Sequence, residues 1–283
     1  MGKVCAGIVL YNPSLDRLKE NIKSIYNQVE EVFVVDNASN NLMEIKKILS
    51  KYQRCLLIEN KKNMGIAKAL NQLCSKAYKD EFEWILTLDQ DTVSPENLIE
   101  RLRKYSYGKK IGIICPDVHY EGINSLNKQN SSIKTRHTME IKACMTSASL
   151  TCLKAWKEVK GFRNNYFIDY VDNEFCMKLR ISGYKILRVN NVYISHELGE
   201  LGTIKLFGKE IRFSRHSPWR YYYMIRNNRA FIREYHKYIP VFKEKLKLWY
   251  IALIGAVTAK NKKETIRYIV KGYIDGKNMN RRI

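Results

Sequence analysis

The chain has 283 residues, 45% of them hydrophobic, which excludes general disorder and leaves room for one large α/β domain with an appendage. Its formal charge of +22 is uneven, because residues 201–283 hold 20 Lys and Arg against 5 Asp and Glu, a net +15 that leaves +7 for the rest. Seven cysteines without a CxxC pair exclude a disulfide scaffold and read as free thiols of a reducing compartment, so a cytoplasmic protein is expected.

Val4 to Leu10 reads as a strand that runs straight into the Tyr11-Asn12-Pro13 turn, which is no signal-peptide pattern. Leu15 to Gln28 then reads as a helix, Glu31 to Asp36 as a strand, and Leu42 to Tyr52 as a helix. Arg54 to Glu59 is a strand, Gly65 to Tyr78 a helix and Trp84 to Leu88 a strand. Ser94-Pro95-Glu96 has the cap, proline and acid of a helix start, before Ile111 to Cys115 returns to strand. This alternation predicts an α/β fold with a mostly parallel sheet flanked by helices, whose ligands sit at the carboxyl ends of the strands.

That rule gathers the polar residues. Tyr11-Asn12-Pro13, Asp36 to Asn40, Asn60 to Gly65 and Asp89-Gln90-Asp91 close four successive strands and so converge on one rim. Each alone is ordinary turn chemistry, whereas four together with two carboxylate clusters read as a binding site. Asp89 and Asp91, at spacing i, i+2 after an apolar run, suit a hard divalent cation that keeps open positions for phosphate oxygens, with a solvated turn as the alternative.

Residues 117–140 are polar and read as a loop. Asp169, Asp172 and Glu174 then fall within six residues at the start of a helix running to Ser182, where acids serve either as capping groups or as ionised carboxylates fit for general-base work. Lys185 to Val189 is a strand, and His196 sits at a later element end. Arg220, Tyr223 and Arg226 share a face of a helix, read as a phosphate clamp or as a solvated surface. Val241 to Arg282 mixes Leu246, Trp249 and Leu253 with lysines. Three readings stay open for it: helices packing on the fold, a homodimer contact, or an interfacial helix drawn to anionic lipid. The stretch Leu246 to Ala259, interrupted by Lys247, is too short to span a bilayer. The expected division is an α/β domain over 1–205, which carries the rim, and a basic helical region over 206–283.

Taken in order, these motifs resemble the inverting, GT-A-fold (Rossmann-like) glycosyltransferases of family 2, and within them the bacterial rhamnosyltransferases that use dTDP-rhamnose. The resemblance runs over roughly residues 3–235. It is carried by Tyr11-Asn12-Pro13, Val34 to Ser39, Asn60 with Asn63-x-Gly65, Leu88 to Asp91, Thr146 to Ser149, Phe167 to Cys176, His196-x-x-Gly199 and His216 to Asn227. It implies that Asp36 accepts the pyrimidine N3–H and that Tyr11, Asn12, Asn63 and Gly65 help line the donor site. It further implies that Asp89 faces ribose and sugar, that Asp91 binds Mg2+ or Mn2+ with His196, and that Arg220, Tyr223 and Arg226 clamp the diphosphate. Asp172 matches the catalytic base, although Val171 stands where many members carry Glu; Asp169 and Glu174 would lie on the acceptor side. The implied partners are a dTDP-rhamnose donor and a lipid-linked or polysaccharide acceptor, handled at the inner face of the cell membrane. A basic nucleic-acid-binding protein is the rival of another class, but it leaves the carboxylates at strand ends unexplained. A nucleotidyltransferase would carry a Gly-rich basic loop after the first strand, which Tyr11 to Ser14 is not.

Overall fold

The alternation expected from the sequence is present as β1 (Val4–Leu10), α1 (Leu15–Tyr26), β2 (Glu31–Asp36), α2 (Leu42–Leu49), β3 (Cys55–Glu59), α3 (Ile66–Lys79) and β4 (Trp84–Asp89). There follow α4 (Leu98–Arg103), β5 (Ile111–Tyr120), β6 (Thr138–Glu140), β7 (Ser149–Cys152), α5 (Leu153–Glu158), α6 (Val171–Ile181) and β8 (Lys185–His196). The computed structural model describes residues 2–108, 110–120, 137–196, 201–206 and 209–279. The chain divides into two units, the first comprising Met1–Asn165 and Val171–His196, the second Tyr166–Tyr170 and Glu197–Ile283.

In the first unit the described strands form one sheet in the order β3-β2-β1-β4-β7-β5-β8-β6. β1 pairs parallel with both β2 and β4, β2 with β3, and β5 with β8. β7 runs antiparallel between β4 and β5, and β6 lies antiparallel on β8. All seven residues of β1 are buried, as a central parallel strand covered on both faces requires. Val4, Ala6, Ile8 and Leu10 alternate onto one face and pack in a cluster with Leu18, Ile22 and Ile25 of α1 and with Ile45, Ile48 and Leu49 of α2. Each such fully buried aliphatic side chain contributes about 2 kcal/mol relative to exposure. The register this core imposes sets Asp36 beside Leu10 and Asp89 beside Val9, so both carboxylates arrive at the carboxyl end of β1, one on each side.

Three expectations change. The helix expected at Ser94-Pro95-Glu96 begins at Leu98, after Asn97 in the left-handed region at φ 56°. The preceding segment is tied to α1 instead, through Ser94 N–H to Ser24 Oγ and Gln28 Nε2 to Pro95 O. β5 continues through Tyr120 into the stretch read as a loop; the ladder shifts register at Pro116/Asp117, a bulge that accommodates a residue without N–H. β8 likewise runs on to His196, seven residues beyond the expected strand at Val189, because the extended β5 gives it a partner.

The second unit contains β9 (Leu201–Leu206) paired antiparallel with β10 (Lys209–Ser214), and the helices α7 (Pro218–Tyr235), α8 (Val241–Thr258) and α9 (Lys262–Asn278). The strand pair was not expected from the sequence. Ile225 and Ile232 of α7 form a core with Leu248 of α8, against which Ile251 and Ile269 pack. α9 approaches α7 closely enough that a Cβ on Gly272 would stand 2.5 Å from Tyr222 O, and one on Gly276 2.7 Å from Arg226 O. Among the described residues no helix is long and apolar enough to cross a membrane.

Candidate active site

The ends of β1, β2 and β4 are laced together by the turn residues that follow them. Asp36 is fully buried. Its Oδ2 accepts the Ser39 N–H at 3.0 Å, while Oδ1 accepts no hydrogen bond from the described residues. Asn12 adopts a left-handed conformation (φ 47°) that asparagine tolerates. In that pose its N–H reaches Ser39 Oγ at 2.8 Å and its Oδ1 accepts the Asn40 N–H at 2.8 Å. Tyr11 donates its N–H to Gln90 Oε1 at 2.9 Å and leaves its ring half exposed.

β3 joins this rim through Asn37, whose Oδ1 accepts Asn60 Nδ2 at 3.0 Å and the Met64 N–H at 3.1 Å. Asn63 closes its own turn by accepting the Gly65 N–H at 2.9 Å. Gly65, at φ 80°, opens α3 in a conformation that a Cβ would strain.

Asp89 is the half-buried last residue of β4, and Asp91 is exposed two residues on. The Asp89 backbone is fixed on both sides: Asn21 Nδ2 donates to its carbonyl at 2.6 Å, and its N–H reaches Ser147 Oγ at 3.0 Å. The donor set, two carboxylates at the tip of a rigid strand, fits a hard divalent ion in chemistry. Among the described residues no three His, Cys, Asp or Glu side chains gather to hold a metal. The His196 backbone lies opposite Tyr120 in the sheet; its side chain, like residues 197–200, lies outside the described residues.

Ser147 also lines a cavity of about 400 Å³ together with Asp172, Asn173, Cys144, Asp117 and Arg188. Asp172 stands in the first turn of α6, where its Oδ1 accepts the Asn173 N–H at 2.8 Å and Asn173 Nδ2 at 3.1 Å. Arg188 pairs with Asp117 at 3.3 Å and donates from Nε to Asn190 Oδ1 at 3.1 Å. In the cavity wall the Cys144 thiol is held well below the usual thiol range, chiefly by the neighbouring Cys115 thiol and then by that of Cys176. Glu174 is fully buried, 3.3 Å from Lys178 Nζ, and does not line this cavity. Asp117, Cys144 and Arg188 carry no motif; the pairing of β5 with β8 brings Asp117 and Arg188 together, and Cys144 lies in the segment before β7, where its carbonyl accepts the Cys176 thiol of α6 at 3.8 Å.

In the second unit Arg220, Tyr223 and Arg226 do share a face of α7, and that face holds the segment Tyr166–Tyr170. Arg220 donates from Nε and Nη2 to the two Asp169 oxygens. Tyr223 stacks on Phe167 with centroids 5.1 Å apart, and Arg226 lies 4.7 Å from the Tyr223 ring centroid. Asn227, to which the sequence assigns no role, donates to the carbonyls of Ile168 at 2.8 Å and Asp169 at 2.9 Å. Arg220 is thus ion-paired to Asp169 within its own unit.

Residues 5–170 match the profile of Glycosyl transferase family 2. The chain is 30% identical to the dTDP-rhamnosyl transferase RfbF of Shigella flexneri, over 96% of its own length and 95% of that protein. Among solved structures it resembles GalNAc-T7 with UDP, GalNAc and Mn2+, at 15% identity and a TM-score of 0.64; the match covers 99% of this chain and 56% of GalNAc-T7. It also resembles S. aureus TarS 1-349 in complex with UDP-GlcNAc, at 14% identity and a TM-score of 0.58, over 97% of this chain and 81% of that one. The identities to these structures speak for the fold alone, which is the GT-A arrangement expected above. With more than half of its length matching the family profile and one relative aligned end to end, the chain belongs to glycosyl transferase family 2 and is a glycosyltransferase.

Proposed function

We propose that this transferase moves L-rhamnose from dTDP-β-L-rhamnose onto a hydroxyl of a growing cell-surface polysaccharide or lipid-linked glycan, with inversion at the anomeric carbon. The donor sugar is supported by the end-to-end relation to a dTDP-rhamnosyl transferase. The observation that carries the chemistry is Ser147, whose hydroxyl accepts the Asp89 N–H and lines the same cavity as Asp172. A donor anchored at the β4 end and a base in that cavity would be neighbours.

In this reading Asp36 Oδ1, without a partner among the described residues, accepts the thymine N3–H, and Tyr11 borders the base. Asp91, with Asp89 and His196, would hold Mg2+ or Mn2+, which would neutralise charge on the departing diphosphate. Asp172 takes the proton of the acceptor hydroxyl. The freed oxygen forms its bond to the anomeric carbon as the bond to the diphosphate oxygen breaks on the opposite face, which yields an α-L-rhamnoside. The seven free thiols suit work in the cytoplasm, at the inner face of the membrane.

The test is a metal-dependent donor-hydrolysis and binding screen across dTDP- and UDP-sugars. Preference for dTDP-rhamnose is expected. Preference for a UDP-hexose would refute the donor assignment and leave the family intact.

A further inference from the structure

α8 turns two different faces to its surroundings. Leu248 and Gly255 are buried inside the second unit. Phe242, Leu246, Trp249, Leu253 and Val257 are all exposed, with Phe242 at 73%, Trp249 at 62% and Leu253 at 61%. Their spacing of three and four residues puts them on one stripe along the whole helix, about 27 Å at 1.5 Å per residue. α9 repeats the pattern with exposed Ile266, Val270 and Ile274, and the stripes meet where Trp249 and Tyr273 approach to 6.2 Å between centroids. Single exposed hydrophobic residues need no explanation, but a continuous two-helix face of eight does.

The charge around this face selects its occupant. Lys243 and Lys245 flank the stripe of α8, and Lys263 and Arg267 that of α9, while Lys247 and Lys271 lie over the Tyr170 and Tyr222 rings. The acids of these helices are engaged elsewhere. Glu244 accepts the Tyr170 hydroxyl, Asp275 accepts the Tyr222 hydroxyl at 2.7 Å, and Glu264 is bound to Asn261 at the start of α9. A second copy laid on the same patch would oppose one lysine-rich rim to another, in a region of net +15. An anionic bilayer attracts the same rim by roughly 1 kcal/mol per basic residue near its surface. It also accepts Trp249, Tyr250 and Tyr273 at headgroup depth. Since no described helix can cross a bilayer, the face would lie on it.

We infer that the α8–α9 face is a docking surface for an anionic lipid bilayer, an inference that uses none of the donor chemistry above. The full chain is sedimented with vesicles of phosphatidylglycerol or of phosphatidylcholine, alongside the exposed-site double variant Leu246→Glu/Leu253→Glu. Wild type is expected to bind phosphatidylglycerol vesicles selectively. Binding should weaken as salt rises from about 0.1 to about 0.5 M, and should fall by at least about tenfold in the double variant while its donor hydrolysis is unchanged. Equal binding to both lipids, or binding indifferent to the double substitution, overturns the inference. So does a dimer in solution that the double substitution splits into monomers without any vesicle binding, which would make a second copy the occupant.

Discussion

Arg220 holds Asp169 by a two-pronged ion pair, with Nε at 3.3 Å and Nη2 at 3.2 Å from the two carboxylate oxygens. The grip falls on unusual backbone: Asp169 and Tyr170 are consecutive left-handed residues, at φ 64° and 62°. For residues with a Cβ that conformation costs about 1–2 kcal/mol each. Arg220 and Asn227 together hold the segment in it. Arg220→Ala should therefore lower the stability of the chain to urea by about 1–3 kcal/mol. Arg220→Lys should recover only part of the loss, because an ammonium cannot fork a carboxylate. An unchanged urea midpoint for Arg220→Ala would show that the pair is ornamental.

Asp36→Asn tests the base pocket. The amide can still accept the Ser39 N–H that now reaches Oδ2, but it turns an NH2 group toward any ring N–H at Oδ1. Loss of a hydrogen bond to a charged acceptor is worth about 1.5–3 kcal/mol, roughly tenfold to a hundredfold in dTDP affinity by calorimetry. Equal affinity in the variant would move the pyrimidine elsewhere.

Asp172 and Glu174 stand two residues apart on α6 but in opposite surroundings, one lining a cavity and the other buried on Lys178. Asp172→Asn should depress kcat by about 10²–10⁴-fold with dTDP affinity retained. Glu174→Gln should instead leave the acceptor KM alone and reduce stability, since it strands the Lys178 ammonium without its carboxylate. The opposite pattern would make Glu174 the acid that meets the acceptor.

The contrast shows what could be read from the residues. β1 to β4 are unbroken apolar runs ending in polar turns, so both the strands and the rim formed by Asp36 and Asp89 were legible. The far halves of β5 and β8 were not, because Pro116 and Asn190-Asn191 look like breakers until each strand has the other as a partner. Arg188 and Asp117 stayed hidden for the same reason, since their cavity exists only once that ladder forms. The Asp169 partner of Arg220 was not legible, because that carboxylate lies 51 residues back in the chain. A face of arginines predicts an anion without saying that the anion is already in the protein.

Gly272 sets two effects against each other. In an open helix Gly→Ala gains about 1 kcal/mol from propensity. Here the new Cβ would stand 2.5 Å from Tyr222 O, a backbone atom that no rotamer change can move. Overpacking of this kind costs about 1–3 kcal/mol, so the clash outweighs the gain and Gly272→Ala should destabilise the chain. Gly276→Ala, at 2.7 Å from Arg226 O, should behave alike. Gly255→Ala meets only the Tyr221 ring, at 2.8 Å, and a side chain can yield, so its penalty should be the smallest of the three. Urea unfolding of the three variants orders them. If Gly272→Ala proved more stable than wild type, α9 would have to ride further from α7 than the close approach at Tyr222 allows.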